Sequence, residues 1–437
     1  MTTRYTLALL LGLLAAGASA QTSKREMFAD QDRTGSTYFA YPGPSQKVLT
    51  PAPAGYEPFY ISHYGRHGSR YMTSNKYYVQ AITPMDSAAK LGLLTPKGEE
   101  VLEKLKTGYA DAYQRDGELT QLGAQQHRGI ARRMYERFPE LLGQPLKVDA
   151  RSSTSGRCMI SMFNFCWELQ GKNPDLEITM AASEHDMPFV VSDSRVKPEV
   201  TPEAEAIHRQ YSEYRDGTYK SDRLMKVLFK DAKKAAAFVD GPDLMKSLYN
   251  VAEDFQSLPE LGLSMTDIFT KEELFLIWTG SNASWLRQSG IVPGSTPMYL
   301  QKKAVRDTME SIADRVIREG KPAATLRFSH DSSVLPLAWL LGLKETQGMA
   351  AARRTDPSNA YKYVSIDKII PMAGNIQLIF YRKAVPEPAE GPVSDDILVK
   401  FLLNENETSI PIKTDCAPYY HWSDVKRFWE GHPAITQ

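Results

Sequence analysis

The sequence predicts an α/β protein, a three-layer sandwich with a central mostly parallel sheet, carrying a smaller all-α domain as an insert. Strand-like runs alternate with helical patterns on both sides of a long charged segment that has few strand signals. Of the 437 residues, 42% are hydrophobic, enough apolar material for a core of that size.

The elements follow in chain order. Arg4, then "LALLLGLLAAG", then "ASA" before Gln21 form a basic start, an apolar stretch too short for a bilayer and a small-residue cleavage site. Residues 1–20 are therefore expected to be a signal peptide, and the chain to be exported, periplasmic or secreted. Residues 21–55, rich in Gly, Pro, Ser and Thr, are expected to wrap the surface. "EPFYISHYGRHG" is a short aromatic and β-branched strand running into a glycine-punctuated loop. Helical patterns run from Thr95 to Gln114 and from Thr120 to Leu142, the second with Thr120 as N-cap and Ile130, Met134 and Phe138 on one stripe. "PLKVDA" and "LEITMAA" are strands on either side of the helix "STSGRCMISMFNFCWELQG".

Residues 190–296, with stretches such as "DRLMKVLFKDAKKAAAFV", form the expected helical insert, so the α/β domain is discontinuous over 21–189 and 297–437. The helix pattern resumes in "TPMYLQKKAVRDTMESIADRVIREG", with Val305, Met309, Ile312 and Val316 on one face. "ATLRFSHDSSVLPLAWLLGL" is strand, polar turn and helix, and "NIQLIFYRK" and "ILVKFLLN" close as strands. No internal repeat is present.

Lys and Arg number 52 against 52 Asp and Glu, so no global basic field exists to attract nucleic acid or an anionic membrane. Beyond the first twenty residues no segment is long and apolar enough to span a bilayer. The three cysteines are Cys158, Cys166 and Cys416. On one helix Cys158 and Cys166 stand about 12 Å apart, too far for a disulfide; a bridge from either to Cys416 stays open.

Against this neutral background, "HYGRHGSRY" packs two arginines, two histidines and two glycines into His63–Tyr71, at the end of a strand, where open α/β sheets bind ligands. Arg66 and Arg70 carry planar donor forks that match phosphate oxygens, Gly65 and Gly68 admit close backbone approach, and His67 can attack phosphorus as a neutral nucleophile. His63 and His67 are spaced as a metal pair would be on a helix, but the glycines argue against a helix there, and His63 is expected to be structural. "LRFSHDSSVLP" sets His330 and Asp331 at a strand-to-helix turn, the same context as the first motif. There His330 can donate to a phosphate oxygen and Asp331 can protonate a leaving oxygen. His185–Asp186 is the rival pair, less favoured because Pro188 follows and no helix pattern starts. For a third arginine there are two candidates, Arg151 and Arg157; the second, near a helix start, can face an anion beside the helix N-terminus.

These residues resemble the histidine acid phosphatases, the phytase-like branch of the histidine phosphatase superfamily. "RHGSRY" is similar to the family's R-H-G-x-R-x-P signature, "SHDSS" to its H-D element, and "LTQLGAQQHRGIARRM" to its leucine-threonine, glycine and glutamine helix. "SSTSGRCMISMFNF" and Tyr71 look closest to the multiple inositol polyphosphate phosphatases. The resemblance covers roughly residues 55–185 and 295–385. Met72 stands where the signature usually has proline, and His330-Asp331-Ser332 where the inositol polyphosphate subgroup typically has His-Ala-Glu.

The resemblance implies a phosphohistidine mechanism on phosphate monoesters, phytate among them. His67 would attack in line, Arg66, Arg70, Arg157 and His330 would hold the phosphate oxygens, and Asp331 would protonate the leaving alcohol. No cofactor or metal is expected, since four cationic groups can do what magnesium does elsewhere. His127, His208, His421 and His432 are expected in solvated or packing roles, and Asn282 and Asn406 are glycosylation acceptors only in a eukaryotic host. Two other classes share these residues. A phosphoryl transferase would pass the group to an added alcohol, and a non-catalytic module would bind phosphate without turnover.

Overall fold

The computed structural model describes residues 23–192, 201–289, 303–352, 354–384 and 396–431; the expected signal peptide and His432 lie outside them. Eight strands form one sheet: β1 Tyr56–Arg66, β2 Leu146–Ser152, β3 Leu176–Ala181, β4 Ala323–Ser329, β5 Asn375–Lys383, β6 Leu398–Leu403, β7 Asn406–Thr408 and β8 Tyr419–His421. Their order is β3-β2-β4-β1-β5-β6-β7, with β8 also on β6. The β3-β2-β4-β1 half is parallel, and β5 to β8 extend it antiparallel.

The longer helices are α1 Lys76–Lys90, α2 Pro96–Ala112, α3 Gln121–Arg137, α4 Gly156–Lys172, α5 Pro202–Asp216, α6 Gly241–Asp254, α7 Lys271–Gln288, α8 Lys303–Glu319, α9 Asp331–Leu340 and α10 Trp422–Glu430. Side chains alternate across the sheet as the pleat requires. Tyr60, Tyr64, Leu378 and Phe380 meet α8, α9 and α10 in one core, while Ile61, Ile379 and Tyr381 join α3 and α4 in a second. Helices thus cover both faces, the expected sandwich. A third core takes no residue from the sheet and joins residues from Tyr71–Ala112 to residues from Tyr219–Ile277, so α1 and α2 pack with the helices of the charged segment.

Local chemistry explains the boundaries. Thr120 caps α3, its side chain accepting from Gly123 N, as expected. The expected helix to Leu142 instead breaks at Phe138, because Pro139 restarts it as a separate turn over Pro139–Leu142. Residues 21–55 do more than wrap the surface. Their 3-10 helix Gln31–Tyr38 buries Thr34 to Thr37 against the helical core and reaches Arg66 and Arg70. All three cysteines are free, and among the described residues no helix is long and apolar enough to cross a membrane.

Candidate active site

Register brings the distant motifs together. In the parallel β1–β4 pair Arg66 stands opposite Ser329, so the next residues, His67 and His330, leave the sheet side by side. The His67 amide donates to Ser329 O at 2.9 Å, and the two imidazoles meet edge to face with centroids 5.6 Å apart. On the other side of β4, Ser152 pairs with Phe328, so β2 delivers Ser153 and then the first turn of α4 to the same edge. Helices α4 and α9 both begin here, their free N–H ends favouring negative charge.

The Arg66–Arg70 loop is clamped from beneath by α3. Thr120 N and Thr120 Oγ1 both donate to Ser69 O, at 3.0 and 3.1 Å, and Ser69 N donates to Gln126 Oε1 at 2.8 Å. A Cβ on Gly68 would sit 2.4 Å from Gly123 O, and one on Gly123 would sit 2.2 Å from Ser69 O. Only glycine at both positions permits that approach, which gives the glycine and glutamine of "LTQLGAQQ" their physical role.

His67 is buried, and its Nδ1 lies 2.9 Å from Gly68 O. A carbonyl only accepts, so Nδ1 carries the proton and Nε2 keeps a free lone pair. Burial, then the positive charges of Arg66 and Arg70, hold its pKa well below the usual histidine range. The imidazole is therefore held toward its neutral form, as a nucleophile must be.

Arg66 is fully buried. Its Nη1 donates to Thr37 O at 2.6 Å and Ile370 O at 2.8 Å, and its Nη2 lies 2.7 Å from Asp331 Oδ2, an ion pair without hydrogen-bond alignment. Two charge-assisted bonds to carbonyls, each contributing about 1.5–3 kcal/mol, fix the guanidinium in one orientation. Arg70 donates from Nη1 to Tyr71 O at 2.9 Å and lies over the Tyr38 ring, 5.0 Å from its centroid. Arg157, second residue of α4, brings Nη2 to 3.4 Å from His330 Nδ1, and Ser153 Oγ lies 3.1 Å from His330 Nε2. Because arginine only donates, His330 accepts at Nδ1 and carries its proton on Nε2. The Nε atoms of Arg66, Arg70 and Arg157 are buried without a protein partner, so three cationic donors remain for an anion.

Asp331 opens α9 and accepts from Ser332 N at 2.7 Å. Burial pushes its pKa up, but Arg66, Arg70, the Ser332 amide and His330 together pull harder, and the carboxyl rests below its ordinary range. At neutral pH it is therefore a carboxylate. A phosphate among the arginines would take up their charge and add its own, and both changes raise the pKa of Asp331.

All six expected residues, Arg66, His67, Arg70, Arg157, His330 and Asp331, thus converge. The rejected candidates find each other instead: Arg151 Nη1 lies 2.5 Å from Asp186 Oδ1, an ion pair at the edge of the sheet. His127 differs from expectation. It is not solvated but fully buried, beside His63 and among Phe165 and Phe328, because it faces inward from α3 under the loop. Among the described residues, side chains of metal-ligand type cluster once, at Asp415, Cys416 and His421, where the two His421 nitrogens lie 3.0 Å from Asp415 and 3.3 Å from Asp396.

The sequence allows the insert's lysines to line a pocket for a polyanionic substrate but names no residue of the site's wall. A cavity of about 450 Å³ opens from Arg70 and Asp331 and is lined by Lys76, Arg215 and Lys246 together with Tyr38, Tyr77 and Trp285. Arg215 and Lys246 also reach Asp216, at 3.0 and 3.4 Å, at the rim. Nothing in their sequence context separates these cations from other surface lysines and arginines.

No family model and no curated protein sequence matches the chain. Solved structures do match in fold. The multiple inositol polyphosphate phosphatase of Bifidobacterium longum in complex with phosphate superposes with a TM-score of 0.71 at 19% identity, over 91% of this chain and 97% of that one. Its complex with inositol hexasulfate gives 0.68 at 18%, with the same coverage. The phytase from D. castellii gives 0.61 at 15%, over 92% of this chain and 84% of that one. The fold is thus a mixed α/β fold shared with phytases and inositol polyphosphate phosphatases, over nearly the whole chain.

Proposed function

We propose that the protein is an exported phosphomonoesterase that works through a phosphohistidine and acts on small polyphosphorylated substrates, inositol polyphosphates such as phytate foremost. The observation that carries this reading is the free Nε2 of His67. The Gly68 carbonyl fixes the tautomer, burial and the arginines keep the ring neutral, and three unpartnered guanidinium nitrogens lie in the same site.

Nε2 of His67 forms a bond to phosphorus while the P–O bond to the alcohol breaks. Arg66, Arg70 and Arg157 hold the spread charge of the other oxygens, and His330 joins them when its Nε2–H turns from Ser153 Oγ to the phosphate. The departing oxygen takes its proton from Asp331. That proton arrives with the substrate, because a phosphate monoester keeps one proton up to pH of about 6, and anion binding raises the carboxyl to receive it. Water then attacks phosphorus, Asp331 takes the water proton, the N–P bond breaks, and neutral His67 returns with inorganic phosphate.

The cationic and aromatic wall supports a substrate with further phosphates. Lys76, Arg215 and Lys246 lie across a cavity from the site, where a single phosphate on His67 does not need them. The complex of the Bifidobacterium longum protein with inositol hexasulfate supports the same substrate class.

The test is phosphate release from inositol hexakisphosphate and from an aryl phosphate, with chelator and over a pH series, beside His67→Ala. Release that prefers the hexakisphosphate and vanishes in the variant is the expected result. Equal use of both substrates would favour a general acid phosphatase or sugar-phosphate phosphatase. Phosphate binding without release from any monoester would leave a binding protein.

A further inference from the structure

Met72 follows the motif where a proline would have no amide hydrogen. Here the amide is used: Met72 N donates to Asp254 Oδ2 at 3.2 Å, and both residues are buried. Asp254 is the last residue of α6, the helix whose Lys246 lines the cavity wall. Its Oδ1 has no partner, and neither has Nε of Arg70. The charged or titratable groups whose fields couple to Asp254 are Arg70 from the loop, Tyr38 from the N-terminal segment and Tyr78 from α1.

From this contact we propose that Asp254 is a positioning residue: it holds the loop end through the Met72 amide and sets how much of the Arg70 charge reaches a bound phosphate. The proposal rests on the phosphate-site reading above. A neutral carboxyl leaves the guanidinium charge for the ligand, whereas a carboxylate competes with the ligand for it. Burial, opposed by Arg70 and by the Met72 amide, raises the Asp254 pKa to about 7. Phosphate should therefore bind more weakly once Asp254 ionises above neutrality.

The experiment is calorimetric titration of inorganic phosphate into the full chain from pH 5.5 to 8.5, for the parent, Asp254→Asn and Met72→Pro. Asparagine still accepts the Met72 amide but carries no charge. Parent and Asp254→Asn should bind equally at pH 5.5, and the variant about fivefold tighter at pH 8.5. Comparing them cancels the ionisation of phosphate itself. Met72→Pro removes a donor that favours the carboxylate, so its loss of affinity should begin at higher pH than in the parent. Superimposable profiles for parent and Asp254→Asn would overturn the proposal. Should Asp254→Asn not fold, an unshifted Met72→Pro profile would do the same. The titration needs no turnover. The predicted difference without hydrolysis of any monoester would keep this proposal and remove the hydrolase reading, and hydrolysis with superimposed profiles would do the reverse. No phosphate binding at all would remove both.

Discussion

The floor of the candidate site and its wall are built on opposite principles. On the floor, Arg66 and His67 are fixed by backbone carbonyls of Thr37, Ile370 and Gly68, at strand ends buried between helical layers. On the wall, Arg215 and Lys246 are half-exposed helix residues whose protein partner is the exposed Asp216. Rigid wiring suits the step in which charge moves at one phosphorus atom, where misplacement is expensive. Solvated cations on helices suit recognition of phosphates whose positions differ from substrate to substrate. Floor substitutions should therefore act on kcat, and wall substitutions on KM for polyanions alone.

The sharpest way to break this division is at His67. His67→Ala should reduce hydrolysis of every monoester to background, a loss on the order of 10⁴-fold or more, with the far-ultraviolet circular dichroism unchanged. Asp331→Asn comes next and sharpens the assignment. With an alkyl leaving group kcat should fall by about 10²- to 10³-fold. With a nitrophenyl leaving group, which needs no proton, the loss should be far smaller, and steady-state rates on the two substrates compare them directly. The parent should also lose kcat/KM as pH rises above about 6, since the productive complex needs one proton shared between phosphate and Asp331. Wall effects are smaller. Lys246→Ala or Arg215→Ala should raise KM for inositol hexakisphosphate about fivefold, the scale of one partly solvated charge contact, and leave aryl phosphate kinetics unchanged.

The smallest catalytic effect is expected just beneath the floor. His63 and His127 are buried, and no ring nitrogen of either has a partner. Burial pushes both to about 3; the second cause is the His127 charge for His63, while for His127 the nearby Arg66 backbone opposes the shift slightly without a bonding geometry. Their folded pKa values lie below the unfolded value, so the unfolded chain binds the protons first. Stability is then complete above pH of about 6.5 and falls as pH drops toward 3, by about 1.4 kcal/mol per pH unit for each histidine. His127→Leu should leave turnover at pH 7 intact and flatten the fall of melting temperature between pH 6.5 and 4.5. An unchanged slope would show that the imidazole is not buried in the way described.

Much of the floor was legible in the sequence because each part sits at a strand end with its own local signal. "RHGSR" and "SHDSS" both follow β-branched or aromatic runs, and α/β topology sends such ends to one edge of the sheet. Arg157 was legible from its place at a helix start. The wall was not, because Lys76, Arg215 and Lys246 come from three separate helices: α1 and α6 meet in the core shared by Tyr71–Ala112 and Tyr219–Ile277, while α5 sends Tyr211 into the core of α8 and α9. No helix was readable over Lys76–Lys90, where Pro84 interrupts the pattern and the N-cap side chain makes no capping bond. The roles of Thr37 and Tyr38 were equally hidden, since a Gly-, Ser- and Thr-rich segment reads as loop whether it covers the surface or enters a site. The burial of His127 was missed because the arginines around it in sequence, Arg128, Arg132 and Arg133, face outward while it faces in.

The account stands on His67 becoming phosphorylated. Its most direct test is an alkaline quench of the enzyme during turnover of a labelled monoester, followed by peptide mass spectrometry. The account predicts an acid-labile phosphoryl group on His67 that forms at the rate of leaving-group release, and its absence in His67→Ala. Label on another residue, or turnover with no labelled protein and inversion at a chiral phosphorus, would contradict it.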